Sequence, residues 1–270
     1  MLKIVTTLTA SLAATALWAA DGVQPLPKAH AHNDYEHDRP LLDALSHGFT
    51  GVEADIWLVD GELLVAHDAN EVEAGRTLAS LYLDPLRARA EEHDGMIYAS
   101  GQQDPITLLI DIKSDGPETY QVLSDVLAEY SDILTVFEGE EVEPGAVTAV
   151  ISGNRPRDMM QEQDVRYAGY DGRMSDLESD TPASFMPLLS DNWTNVFDWT
   201  GEGEMPEEQR DRLTEIVSTA HDKGWEIRFW ATPDEAGPAR EAIWTVLDEA
   251  GVDLINTDDL SGLQDFLQAE

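Results

Sequence analysis

Between Gly51 and Asp68 the chain reads GVEADIWLVDGELLVAHD, a stretch that carries two acids and a histidine at chemically meaningful spacings. Side chains two apart on a strand share a face, so Glu53 and Asp55 project together while Val52, Ala54 and Ile56 face the opposite way. Neighbouring carboxylates repel. A hard divalent cation that prefers oxygen ligands, Mg²⁺ or Ca²⁺, makes the arrangement favourable. After a turn at Asp60-Gly61, the apolar run Leu63 to Ala66 delivers His67 and Asp68, and the stretch from Leu26 to Ala31 delivers His32 upstream. Acids at alternate strand positions also occur on solvated faces, but these two sit in a run otherwise fit for burial.

A third contribution comes from ITLLIDIKSD, Ile106 to Asp115. Apolar and β-branched residues lead into Asp111, and Lys113 follows on the same face, as in a strand buried on both sides whose charges emerge near its carboxyl end. The pair either closes the strand as an ion pair, or offers a third carboxylate ligand beside a fixed positive charge for an anionic substrate.

Elements that position these groups alternate in type. Helices are predicted over Pro40 to His47 (capped by Asp38 and stopped by Gly48), Leu78 to His93, Pro117 to Tyr130 and Pro206 to Lys223. Strands are predicted at Ala146 to Ser152, Val165 to Tyr170, Met186 to Ser190, Trp225 to Ala231 and Val252 to Thr257, with the acidic stretch Thr135 to Gly145 as a surface hairpin or loop. With 270 residues, 42% of them hydrophobic, and no long linker, one core is more economical than two. The fold class expected is α/β, a single TIM-type (β/α)8 barrel over residues 21–270. Catalytic groups in such a barrel lie at the carboxyl ends of strands, where Arg155, Asn192, Trp193, Trp230 and Asn256 join Asn33 and Lys113 as candidates for substrate binding. Surface ion pairing for Arg155, a turn for Asn192, and packing for Trp193 and Trp230 are the alternatives.

The order His32-Asn33-Asp34, Val52-Glu53-Ala54-Asp55, Asp60-Gly61, His67-Asp68 and Asp111-Ile112-Lys113 resembles the phospholipase-C-like phosphodiesterase superfamily, which includes glycerophosphodiester phosphodiesterases and sphingomyelinase D. More narrowly, HNDYEHDRPLLDAL, RTLASLYLDPL and SDNW resemble the branch named after the yeast protein "altered inheritance of mitochondria 6". Two departures stand out: Asn33-Asp34 follow His32 where glycerophosphodiesterases usually carry Arg-Gly, and Asp111-x-Lys113 is closer to the sphingomyelinase D pattern than to Glu-x-Lys. The resemblance implies a metal-dependent phosphoric diester hydrolase. One divalent cation, Mg²⁺ or Ca²⁺, would be held by Glu53, Asp55 and Asp111, with His32 and His67 as the catalytic acid-base pair and an aromatic wall at Trp230. The substrate would be a small-molecule or lipid phosphodiester, cleaved by hydrolysis or by cyclisation to a cyclic phosphate. A barrel that only binds metal or a phosphorylated ligand is the alternative from another class, and it has no need of two histidines beside three acids.

Charge narrows the partners. Lys and Arg number 16 against 54 Asp and Glu, a formal net charge of -38, which repels nucleic acid and anionic membrane surfaces. Such a shell is expected of a protein living in high salt, where screening removes the self-repulsion. At the N-terminus, Lys3 precedes an Ala- and Leu-rich stretch from Ile4 to Ala20 that reads as a signal peptide over residues 1–20, predicting a secreted or periplasmic protein without stable membrane insertion. The absence of cysteine excludes disulfides and thiolate metal sites.

Overall fold

The computed structural model describes residues 22–101 and 104–269, so the predicted leader lies outside the described residues. Strands, numbered along the chain, are β1 (Leu26–Ala31), β2 (Phe49–Val59), β3 (Glu62–Val65), β4 (Ile106–Ile112), β5 (Val136–Glu138), β6 (Glu141–Glu143), β7 (Val147–Gly153), β8 (Val165–Arg166), β9 (Gly169–Gly172), β10 (Leu188–Asn192), β11 (Glu226–Trp230) and β12 (Leu254–Thr257). Eight of them run parallel in the order β1-β2-β4-β7-β9-β10-β11-β12, and β12 pairs back with β1 to close a barrel. Helices α1 (Leu42–Ser46), α2 (Asp84–Glu92), α3 (Gly116–Ala128), α4 (Arg157–Gln161), α5 (Trp193–Val196), α6 (Glu207–Asp222), α7 (Pro238–Ala250) and α8 (Leu260–Gln268) alternate with the strands. This is the expected (β/α)8 barrel.

Two apolar layers hold it. Outward-facing residues such as Val52, Ala54, Ile110, Ile151, Ile227 and Ile255 belong to one large core with helix residues such as Leu123, Leu213 and Trp244. Inside the barrel, Leu109, Val150, Leu188 and Leu254 form a separate small plug. Register fixes what lies above that plug. Glu53 pairs with Leu109 and Asp55 with Asp111, so on the inward face polar groups replace aliphatic ones as the strands approach their carboxyl ends.

The first helix departs from expectation. It begins at Leu42, and Asp38 does not cap it; instead the buried Asp34 Oδ2 accepts the Leu41 N–H at 2.5 Å, and Leu41 itself takes φ +63°. Pro40 therefore belongs to the turn before the helix, not to its first position. The run Val165 to Tyr170 divides as well. Val165–Arg166 pairs with β5 in a small three-stranded sheet, and the barrel strand starts only at Gly169. Arg166 drives the break, because its buried guanidinium donates to the carbonyls of Ala168 and Ser184 and lies over Phe137 and Phe185, contacts made away from the barrel wall. The acidic segment near residue 140 is the β5–β6 hairpin, as expected.

Candidate active site

β2 is long because it does two jobs. Up to Ile56 it pairs with β4 in the barrel, and from Ile56 to Val59 it pairs antiparallel with β3 as a hairpin rising beyond the wall. The hairpin turns at Asp60 (φ +51°) and Gly61 (φ +87°), the left-handed pair that a two-residue turn of this hand requires. Its return strand brings His67 back over Asp55: Ala66 N–H donates to the Asp55 carbonyl at 3.2 Å, and Trp57 Nε1 donates to the carbonyls of Ala66 and His67.

Three carboxylates meet at the mouth. Glu53, Asp55 and Asp111 each offer an oxygen, and these oxygens lie within 4.8 Å of one another. That spread is about twice a calcium–oxygen distance of roughly 2.3–2.6 Å, so one oxygen-ligated cation spans it. Asp55 Oδ1 is buried with no hydrogen-bond partner, a costly orphan that a cation would satisfy. Gly153 makes room for the third acid. With φ +66° it occupies the left-handed region, and a Cβ there would overlap Asp111 Oδ1. The donor set, all oxygen and all carboxylate, fits a hard divalent ion.

Cations of the chain surround the triad. Lys113 Nζ is 3.0 Å from Asp55 Oδ2 and 3.3 Å from Asp111 Oδ1. Arg228, buried on β11, pairs with Glu53 Oε2 at 2.5 Å and is held there by Asn256, whose Oδ1 accepts from both Nε and Nη2. Burial works against ionising Glu53, yet the Arg228 guanidinium, with His30 and His32 nearby, holds its carboxyl well below the usual range. Asp55 moves the other way: burial and the Glu53 charge push it up to about 6, with Lys113 only partly offsetting them. Asp111 is raised too, chiefly by burial. His30, fully buried against Glu53, is driven down to about 4 by burial and by Arg228.

The two histidines flank this centre, each with Nδ1 against a carboxylate. His32 Nδ1 is 2.8 Å from Asp258 Oδ1, and His67 Nδ1 is 3.1 Å from Asp55 Oδ2. Burial is the largest single influence on His32 and disfavours its imidazolium, but the hydrogen bond to Asp258 together with the negative charges of Glu53 and Asp258 outweighs it, and the pKa is raised. Asn33 Nδ2 lies 3.0 Å from His32 Nδ1 and 3.4 Å from Asp258 Oδ1, and Asn33 Oδ1 accepts from the Tyr35 hydroxyl.

The remaining candidates divide. Trp230, half-buried, shares the inward parity of Arg228 at the end of β11. Arg155 donates to the Gly153 carbonyl and stacks over Tyr170, outside contact with the acids. Asn192 uses its Oδ1 to cap α5, accepting from Thr194 N–H. Trp193 is buried in the outer core against Phe197 and Phe229, its Nε1 donating to Trp199. Sequence reasoning missed Arg228, Tyr35 and the partnership of Asp258 with His32. Arg228 had a signal, a charge at an inward position of WEIRFW; Tyr35 had none in periodicity.

Residues 19–171 match the family described as the AIM6-like phosphodiesterase domain, a span that contains both histidines, the three acids and Lys113. "Altered inheritance of mitochondria protein 6" of Lachancea thermotolerans is 32% identical over 88% of this chain and 65% of its own length. The Arthroderma benhamiae homolog of that protein is 28% identical over 91% of this chain and 85% of its own. The chain thus spans just under two thirds of the first of these relatives. Among solved structures, a glycerophosphoryl diester phosphodiesterase from Parabacteroides distasonis superposes with a TM-score of 0.53 at 14% identity, covering 93% of this chain and 89% of that one, a likeness of fold. The barrel, the acids at its mouth and the family match agree, and this chain belongs to the AIM6-like phosphodiesterase domain family.

Proposed function

We propose that this protein cleaves a phosphodiester, using Glu53, Asp55 and Asp111 to hold one Mg²⁺ or Ca²⁺ and His32 and His67 to move protons. The observation that carries the reading is the pairing of both histidines, through Nδ1, with carboxylates on either side of one acidic triad. With Nδ1 engaged, Nε2 is the ring nitrogen left to take or give a proton at the substrate. One histidine removes the proton of the attacking hydroxyl and the other protonates the leaving alkoxide. A bound divalent ion would neutralise charge on the phosphoryl oxygens. Lys113 adds a fixed positive charge beside Asp55 and Asp111, and the Arg228–Asn256 pair keeps Glu53 ionised and aimed.

Charge count favours a diester over a monoester. Three carboxylates against Arg228 and Lys113 leave one net negative charge, a divalent ion turns that into one net positive charge, and a phosphodiester is a monoanion. The test is a ³¹P NMR screen of glycerophosphodiesters and lysophospholipids, which also separates hydrolysis from cyclic phosphate. His32→Ala or His67→Ala should lower turnover by roughly 10² or more while the melting temperature stays nearly unchanged. Wild-type rates in both variants would end the acid-base assignment.

A further inference from the structure

Tyr35 belongs to no part of the acid-base pair or the acidic triad, yet its side chain touches both. The ring is buried, and the hydroxyl lies 2.7 Å from Asn33 Oδ1, 2.7 Å from Asp55 Oδ2 and 3.0 Å from His67 Nδ1. The main chain is held as firmly. Tyr35 sits in a 3-10 turn, Asp34–Glu36, entered through Asn33 at φ +48°, and Arg76 Nη2 donates to the Tyr35 carbonyl at 2.8 Å. Arg76 comes from the segment after His67, and its own carbonyl accepts from Val65 N–H at 2.8 Å on the strand that delivers His67. The loop of the first histidine and the hairpin of the second are therefore tied together at both ends of this one residue.

Hydrogen-bond bookkeeping gives the tie a direction. Asn33 Oδ1 and an ionised Asp55 Oδ2 can only accept, and a phenol has a single proton to give. His67 Nδ1 stands 3.1 Å from Asp55 Oδ2, where an unprotonated ring nitrogen would oppose two lone pairs; a proton on Nδ1 turns the same distance into a hydrogen bond. The Tyr35 oxygen, with lone pairs to spare, accepts from the same N–H while its proton goes to Asn33 or Asp55. We propose that Tyr35 is a positioning residue that holds His67 in the Nδ1–H tautomer, so that Nε2 presents a lone pair to the substrate. This role rests on the phosphodiesterase reading only for its effect on rate. The tautomer itself does not depend on it.

The experiment uses ¹⁵N-histidine-labelled protein with Mg²⁺, with the His67 signals assigned by their loss in His67→Gln. In the wild type the long-range ¹H–¹⁵N spectrum should show the His67 proton on Nδ1. In Tyr35→Phe, which keeps the buried ring, Asp55 is left as the acceptor for that N–H and the Nε2–H fraction should rise measurably above its wild-type level. Turnover should fall by about tenfold to a hundredfold, as when a partner that orients a functional side chain is lost, with KM within about threefold. A wild-type His67 carrying its proton on Nε2 would overturn the proposal without recourse to any variant, as would a lower turnover in Tyr35→Phe with an unchanged His67 spectrum. The expected tautomer change in a protein that turns over no phosphodiester would uphold the positioning role and reject the phosphodiesterase reading instead.

Discussion

Single side chains at this barrel mouth are placed by paired opposite charges, and one acid nearby has no such partner. Asp34 is fully buried, and burial pushes its carboxyl up to about 7 despite hydrogen bonding from Leu41 N–H and the Tyr82 hydroxyl. Its folded-state pKa lies above the unfolded value of about 3.8, so the folded state binds the extra proton. Stability from this group is complete below about pH 4, is lost as pH rises toward 7, and is level above that. Asp34→Asn keeps an oxygen for Leu41 and cannot ionise. The stability of the variant relative to wild type should therefore climb between pH 4 and 7, by up to about 4 kcal/mol, and then flatten. Urea unfolding of both proteins across pH 4.5–8 measures this, and a pH-independent difference would show that Asp34 stays ionised in the fold.

Elements do the next part of the work, and how legible each was depends on how local its cause is. Asp60-Gly61 announces a hairpin because the turn needs left-handed backbone at both positions, and the structure places the turn there. Asp111 and Lys113 could be put on one face because strand parity is a local rule. Arg228 meeting Glu53 could not be foreseen in the same way, since the partners lie 175 residues apart and only barrel closure joins them. The Asp258–His32 contact likewise spans 226 residues. Trp193 illustrates the converse: strand-end position alone does not tell an inward ring from one turned into the helical layer, where Phe197 and Phe229 wait. Gly153, too, acquires its meaning only from β7 lying beside β4. A methyl group there would displace the Asp111 carboxylate, so Gly153→Ala should weaken divalent-ion affinity by about tenfold to a hundredfold in calorimetric titration. Wild-type affinity in that variant would remove Asp111 from the ligand set.

At the scale of the molecule, the formal charge of -38 governs how the barrel behaves in solution. Screening length grows from about 3 Å at 1 M salt to about 10 Å at 0.1 M, so repulsion across the acidic surface should destabilise the fold as salt is withdrawn. The melting temperature is expected to rise with NaCl, and one indifferent to NaCl would refute an adaptation to high salt. No helix among the described residues is long and apolar enough to cross a membrane. The barrel itself keeps an aliphatic plug beneath a polar mouth, so the acidic triad lies toward the carboxyl ends of the strands.

The claim on which the account turns is that Glu53, Asp55 and Asp111 form one cation site serving phosphodiester cleavage. ³¹P NMR of a phosphodiester panel with wild type and Asp111→Asn, each in Mg²⁺, Ca²⁺ or EDTA at fixed ionic strength, tests it most directly. Turnover by the wild type should require the divalent ion, vanish in EDTA, and fall steeply in the variant under every condition. Cleavage that proceeds equally in EDTA, or equally in Asp111→Asn, would contradict the account.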